Sequence, residues 1–263
     1  MEAHLQKIQE ALRQTGLAVE LVANTFNVSQ GVGILASKAN IDPTSLLEQL
    51  SEIPERRRWQ IAGYARGVKH VLLEPSRSDA DHWSFVESAG SLLPSLEAST
   101  FILGAQAAAG TLPWTLPFAE DLTIVYLMHL RRGLRVLTAQ QVQNWGVSQD
   151  RITSGARSLL YHRTRDLKPQ IYDGFSQVRR IKAGDGHDAA RYQVIADVFY
   201  TEVGAAFSFS FPTPDHFLCT FDSTPAAIVE LREATSQTYA SAPNPLTDSV
   251  FRYEQGKPVP LKG

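Results

Sequence analysis

Residues 207–221 read Phe207-Ser208-Phe209-Ser210-Phe211-Pro212-Thr213-Pro214-Asp215-His216-Phe217-Leu218-Cys219-Thr220-Phe221. Three phenylalanines alternate strictly with two serines. Successive side chains of a strand point to opposite faces, so this period of two puts three rings on one face and two hydroxyls on the other. Pro212 to Asp215 supplies turn residues, and Phe217 to Phe221 reads as an antiparallel return. Around this hairpin the chain alternates strand-like and helix-like segments. The fold class expected is α+β, a mixed or largely antiparallel sheet covered by helices, with a smaller N-terminal α/β unit.

Downstream, Thr224-Pro225 starts a helix carrying Ile228 and Leu231. Pro243-Asn244-Pro245 breaks it, and Val250 to Tyr253 reads as a closing strand. Upstream, Asp185-Gly186 is a turn, followed by a helix from His187 to about Val203. Thr138-Ala139-Gln140-Gln141 is a capping box, because Thr can bond the third helical amide while Gln reaches back. That helix ends at Trp145-Gly146, and Ser148 can cap the next, which contains Ser154-Gly155. Leu122 to Leu130 is an apolar run of strand length. The uncharged stretch between Glu97 and Glu120 contains Gly104, Gly110, Pro113 and Pro117 and reads as strands and a turn.

At the N-terminus, Leu5, Ile8 and Leu12 form a helical stripe that stops near Gly16. Val19, Leu21 and Ala23 alternate as a strand, and a second strand is expected from Val32 to Ser37 after a turn at Gln30-Gly31. Asp42-Pro43 marks a helix start with Leu46, Leu47 and Leu50 inside. A longer helix from Pro54 to about Leu73 buries Ile61, Ala65, Val68 and Leu72 and carries Arg56, Arg57, Arg58, Arg66 and Lys69 on its exposed side. Residues 75–82 are polar and are the candidate boundary between a unit of residues 1–75 and a larger domain of residues 83–263.

The 263 residues, 43% hydrophobic and 20% charged, exclude a disordered chain and a collagen-like repeat. A single cysteine, Cys219, excludes an internal disulfide, and its place in a strand suits a buried small apolar residue. The first residues lack the basic start and apolar run of a signal peptide, and no stretch suits a spanning helix. The expectation is a soluble cytoplasmic protein with no membrane partner. The net charge of -2 gives no global basic signal, but residues 121–182 carry 11 basic against 4 acidic side chains, and residues 183–263 carry 5 against 10. The two stretches either complement one another within one fold or leave a basic face, for which Arg131, Arg132 and Arg135 are the candidates.

Asp185, His187, Asp188, Asp215 and His216 are the candidates for chemistry. Two short loops each hold carboxylate and imidazole, which together can ligate a divalent metal or act as an acid–base pair if the loops meet. The structural alternative gives Asp185-Gly186 to a turn, pairs Asp188 with Arg191, and places Asp215 in a hairpin. Gly31-Val32-Gly33 is too short for a dinucleotide fingerprint, and Ser154-Gly155 lacks the first glycine of a nucleophile elbow. Trp145 and Trp114 read as packing residues. No cofactor is implied beyond that divalent metal.

Several of these motifs occur in an order that resembles a known family. Asp121-Leu122 enters a strand ending in Val125-Tyr126-Leu127; Leu137-Thr138 and Trp145-Gly146-Val147-Ser148 lead to a helix with Ala156 and Leu159; then come Asp185 to Arg191 and Pro212 to Leu218. Over roughly residues 90–260 this resembles the YtpQ-like family of bacterial proteins, a domain of unknown function. Ser158 stands where that family's pattern has Asn, and Pro214 where it has Arg. The resemblance implies a bacterial cytoplasmic protein and no reaction. With no catalytic motif, the first functional reading is a non-catalytic binding or regulatory protein with a protein partner. The second is a metal-dependent hydrolase on the Asp/His loops. The third is nucleic-acid binding through the basic middle segment.

Overall fold

The computed structural model describes residues 1–30, 37–72, 83–119, 122–130, 133–198, 207–254 and 257–261. Two compact units emerge from the contacts. Unit 1 is Met1–Leu92, Glu97–Leu116 and Val125–Gln149; unit 2 is Leu93–Leu96, Pro117–Ile124 and Asp150–Gly263. The polar stretch 75–82 lies wholly outside the described residues, and the described residues on both sides of it belong to unit 1. The fold is α+β, as expected.

Unit 1 opens with α1 (Glu2–Gln14), then β1 (Ala18–Val22), β2 (Thr25–Gln30) and β3 (Ser37–Ile41), which form an antiparallel sheet in that order. The first turn is at Ala23-Asn24, both with positive φ (47° and 68°), rather than at Gln30-Gly31. Asn tolerates the left-handed region, and two such residues in a row make the tight hairpin turn that matches strand twist. Ala23 is therefore not in the strand, and β2 follows the turn directly. The strand expected from Val32 to Ser37 falls almost wholly outside the described residues. One sheet face, with Phe26, Val28 and Ile41, packs on Leu5, Ile8 and Leu12 of α1 and on Ile61, Tyr64 and Val68 of the long helix α3 (Pro54–Leu72). Between them, the Asp42-Pro43 signal yields one turn, α2 (Thr44–Leu47), with Asp42 Oδ1 accepting from Thr44 N–H at 2.9 Å.

After α4 (Phe85–Ala89) come β4 (Leu92–Ala98) and α5 (Ser99–Ala109). α5 corrects the expectation of strands and a turn between Glu97 and Glu120. Its alanines favour helix, Gly110 stops it with φ +67°, and its partner is α3. A Cβ on Gly67 would sit 2.0 Å from Phe101 O, and one on Gly104 2.0 Å from Tyr64 O. The two backbones therefore touch where only glycine fits. Arg66 lies on that same side of α3, between Gly63, Gly67 and His70 at helical spacing, so it is buried rather than exposed. It pairs with buried Glu97 of β4 at 2.5 Å.

β5 (Thr115–Ala119), β6 (Leu122–Leu130) and β7 (Gly133–Val136) join β4 in a four-stranded sheet of order β4-β6-β5, with β7 on β6. β4, β5 and β6 each contribute residues to both units. α6 (Ala139–Trp145) begins with the expected Thr138–Gln141 capping box and ends at Gly146 (φ 61°). Trp145 packs edge-on against Phe85 at 5.6 Å, and its Nε1–H donates to Trp83 O at 2.7 Å. Trp114 rests on Tyr126 at 4.9 Å.

Unit 2 contains most of α7 (Gln149–Thr164), then β8 (Gln170–Ile171), β9 (Arg179–Ile181), α8 (Tyr192–Val198), β10 (Ser208–Thr213), β11 (His216–Thr220), α9 (Pro225–Ser241), β12 (Val250–Glu254) and β13 (Lys257–Pro260). The helix expected from His187 is a 3-10 turn at Ala189–Arg191 running into α8; residues 199–206 lie outside the described residues. The sheet order is β13-β12-β10-β11-β9-β8, every pairing antiparallel. The quoted hairpin is its centre. Phe209, Phe211, Phe217 and Phe251 share one face with Phe118 and Tyr192, rings 4.8–6.1 Å apart. The serine face is buried too: Ser210 Oγ meets Thr235 Oγ1 of α9 at 2.6 Å, beside Leu218, Leu231 and Val250. Cys219 is buried, as its strand position implied.

Candidate functional site

The loop between β9 and α8 holds three of the five sequence candidates. Gly184 and Gly186, with φ of 72° and 81°, fold it tightly. Asp188 is fully buried and accepts Ala183 N–H on Oδ1 at 2.9 Å and Gly184 N–H on Oδ2 at 3.3 Å. Asp185 takes a two-pronged bond from Arg191, NH1 to Oδ1 at 3.2 Å and NH2 to Oδ2 at 2.9 Å, and its Oδ1 also accepts His187 N–H at 3.2 Å. Arg191 NH1 is 3.5 Å from Asp188 Oδ1, the pairing the structural alternative expected. His187 is buried, with Nδ1 2.8 Å from Pro94 O of β4; a carbonyl only accepts, so Nδ1 carries the proton.

These contacts set the charges. Partial burial pushes the Asp185 carboxyl up, but the bonds and charge of Arg191 outweigh it and hold it below its ordinary value. For Asp188 burial wins over the two amides and Arg191, and its carboxyl is raised. In the second loop, His216 Nδ1 lies 2.8 Å from Thr213 Oγ1, and burial, then Arg180 and Lys182, bring its imidazole down to about 4.

The loops meet through backbone: Ala189 N–H donates to Pro214 O at 2.9 Å. Their titratable side chains do not form a ligand set. Asp185 and Asp188 turn to Arg191, His187 to Pro94, and His216 to Thr213. Among the described residues no group of three or more His, Cys, Asp or Glu is placed to hold a metal ion.

The basic surface is corrected in part. Arg131 and Arg132 lie outside the described residues, whereas Arg135, opposite Met128 in the β6–β7 pair, is 6% exposed. Alternation on β7 sends its side chain inward. It lines a partly enclosed cavity of about 230 Å³ in unit 1, together with buried Gln141. Neither this cavity nor the Arg66–Glu97 pair was singled out from sequence. The spacing of Gly63 and Gly67, which marks the face carrying Arg66, was the available signal.

No helix among the described residues is long and apolar enough to cross a membrane. The chain matches no protein-family model, no curated protein and no solved structure, and the YtpQ-like resemblance rests on its motifs alone.

Proposed function

We propose that the protein acts by binding a protein partner, as a regulatory or scaffolding component, and not by catalysis. One observation carries this reading: the paired loop carboxylates that would serve a hydrolase, Asp185 and Asp188, are committed to the fold. Asp185 and Asp188 hold Arg191 and two backbone amides, and His187 holds Pro94. A carboxylate that ligates a metal or serves as general base needs a lone pair facing substrate, and those of Asp185 and Asp188 face Arg191 and backbone amides.

The test has two arms on the full chain. Elemental analysis of purified protein should find no stoichiometric divalent ion, and Asp185→Ala should lower stability. A near-stoichiometric ion that Asp185→Ala removes overturns the proposal in favour of a metal-dependent hydrolase. Affinity capture from native lysate should return a specific, saturable protein partner. Repeated empty captures, or recovery of nucleic acid alone, count against it.

A further inference from the structure

Arg180 stands in the middle of three paired strands of unit 2. It lies opposite Gln170 of β8 on one side and Leu218 of β11 on the other. His216, two residues before Leu218, shares that face, because side chains alternate along a strand. Val178 and Leu218 put the same face into an apolar cluster with Leu231 and Ala234 of α9. Toward the turn that joins β10 to β11 the face becomes basic. Lys182 follows one residue beyond the end of β9 and is exposed, and its charge reaches the His216 imidazole together with that of Arg180.

The fold uses little of this charge. Arg180 NH2 makes one long bond, 3.4 Å, to Asp215 O, a carbonyl and not a carboxylate. Its Nε is buried and takes no acceptor, which is costly for a guanidinium that only donates. Arg157, Arg165, Arg191 and Arg252 of unit 2 meet carboxylates, whereas among the described residues none stands within ion-pair distance of Arg180 or Lys182. His216 is half-buried and holds Thr213 Oγ1 through Nδ1 at 2.8 Å, so its ring is fixed and Nε2 is the nitrogen left for a ligand. The charged groups around that imidazole are Arg180, Lys182 and, next to it in the turn, Asp215.

We infer that Arg180, Lys182 and His216 bind a phosphate group, the guanidinium and ammonium balancing its two negative charges and the imidazole adding a third donor. Two cations from one segment of chain match a dianion better than the single charge of a carboxylate. Arginine forks onto paired oxygens, and lysine adds a point charge from the exposed side. The group is carried on a phosphorylated side chain of a protein partner or is free phosphate. The first source rests on the binding reading and deepens it; the second does not depend on it.

Titration calorimetry of the full chain tests it, with inorganic phosphate, a short phosphoserine peptide, the same peptide unphosphorylated, and a single-stranded oligonucleotide. Phosphate and phosphopeptide should bind one to one, the unphosphorylated peptide should not, and affinity should fall with added salt. Arg180→Gln should weaken binding at least tenfold, the loss of hydrogen bonds to a charged group. Lys182→Gln should weaken it about threefold, as an exposed charge does. Arg165→Gln, which removes an exposed cation elsewhere in unit 2, should leave it unchanged. By NMR the titration midpoint of the His216 ring should rise when phosphate binds, because a nearby anion favours the imidazolium. If Arg180→Gln does not fold, by circular dichroism, Lys182→Gln and the His216 titration still decide. A phosphopeptide that binds tighter than phosphate assigns the group to a partner, and phosphate binding at least as tightly assigns it to the free ion. No saturable binding, equal losses in Lys182→Gln and Arg165→Gln, an unmoved His216 titration, or tighter binding of the oligonucleotide each overturns the inference. A protein captured from lysate would still stand after such a failure, while empty captures would sink the binding reading and leave the phosphate titration unaffected.

Discussion

Arg191 has no exposed side-chain surface, and its guanidinium answers two carboxylates on one short loop. A charge taken out of water is stable only while its partners remain, and removing one partner of a buried pair costs about 3–5 kcal/mol. Asp185→Ala should lower stability near the bottom of that range, since Asp185 is partly exposed and Asp188 remains. Arg191→Met should cost more, because it leaves fully buried Asp188 without its cation. Urea unfolding of the two variants and the parent checks this; an Arg191→Met loss no larger than that of Asp185→Ala would show that Arg191 is not held by charge. A second base, partly buried, gives a pH dependence. His70 stands 5.4 Å from the Phe101 ring, and its Nδ1 has no hydrogen-bond partner. Burial, then the charges of Arg66 and Lys69, bring its imidazole from 6.5 down to about 4. Between those values the unfolded chain binds a proton that the folded one refuses. Stability from His70 is therefore complete above pH 6.5 and lost as pH falls toward 4, by up to about 3 kcal/mol. His216 acts in the same direction, discounted for its exposure. Urea unfolding from pH 7.5 to 4.5 should show the decline, and His70→Phe should flatten it.

At the scale of elements, the α3–α5 pair is set by glycine. A methyl on Gly67 meets Phe101 O at 2.0 Å and Ala105 N at 2.7 Å, both backbone, so neither can rotate away. Gly67→Ala should destabilise by about 3 kcal/mol, the upper part of the range for overpacking, although alanine is the better helix former. An unchanged or raised melting temperature would refute the contact. Thr138→Ala removes a helix cap and should cost about 1 kcal/mol. The two elements were not equally legible. α3 showed itself by Ile61, Ala65, Val68 and Leu72, and the capping box by four adjacent residues, because both are local signals. α5 was hidden. Gly104-Ala105-Gln106-Ala107-Ala108-Ala109-Gly110 has no polar face to set a helical period, and its glycines look like turns. Gly104 acquires its meaning only opposite Tyr64, forty residues away. Arg66 was misplaced for the same reason: the helix has a second buried face, made of small residues, that an apolar stripe does not report. The candidate site divides in the same way, since the Asp188–Arg191 pairing is local, and the turn of His187 toward Pro94 is not.

At the scale of the whole molecule, the charge asymmetry of the sequence is partly resolved within unit 2. Arg157, from the basic stretch, pairs with Asp197 and bonds Gln193 O at 2.9 Å, and Glu230 accepts Ser176 Oγ–H and Gln177 N–H at 2.8 Å each. One ion pair, Arg157–Asp197, thus joins the basic middle to the acidic third inside one unit, while Glu230 meets neutral donors of the basic stretch. The chain division is less simple. Composition marks a break at 75–82, but α3 before it and α5 after it belong to one unit. Expressed alone, residues 83–263 would leave Gly104 and Ala105 of α5 facing water in place of α3, and residues 1–75 would lack the surface that α3 covers. The strands β8 to β13 all lie within 150–263, with every partner retained. Hydrogen exchange should therefore split the 83–263 fragment. Amides of β10, β11 and β12 should keep slow exchange, while those of α5 should exchange at least a hundredfold faster than in the full chain, because local stability follows the contacts that remain. Adding the 1–75 fragment should restore protection to α5, and Gly67→Ala in that fragment should prevent it. If α5 stays fully protected in 83–263 alone, the break in composition is a true domain boundary, and the α3–α5 contact contributes nothing to folding.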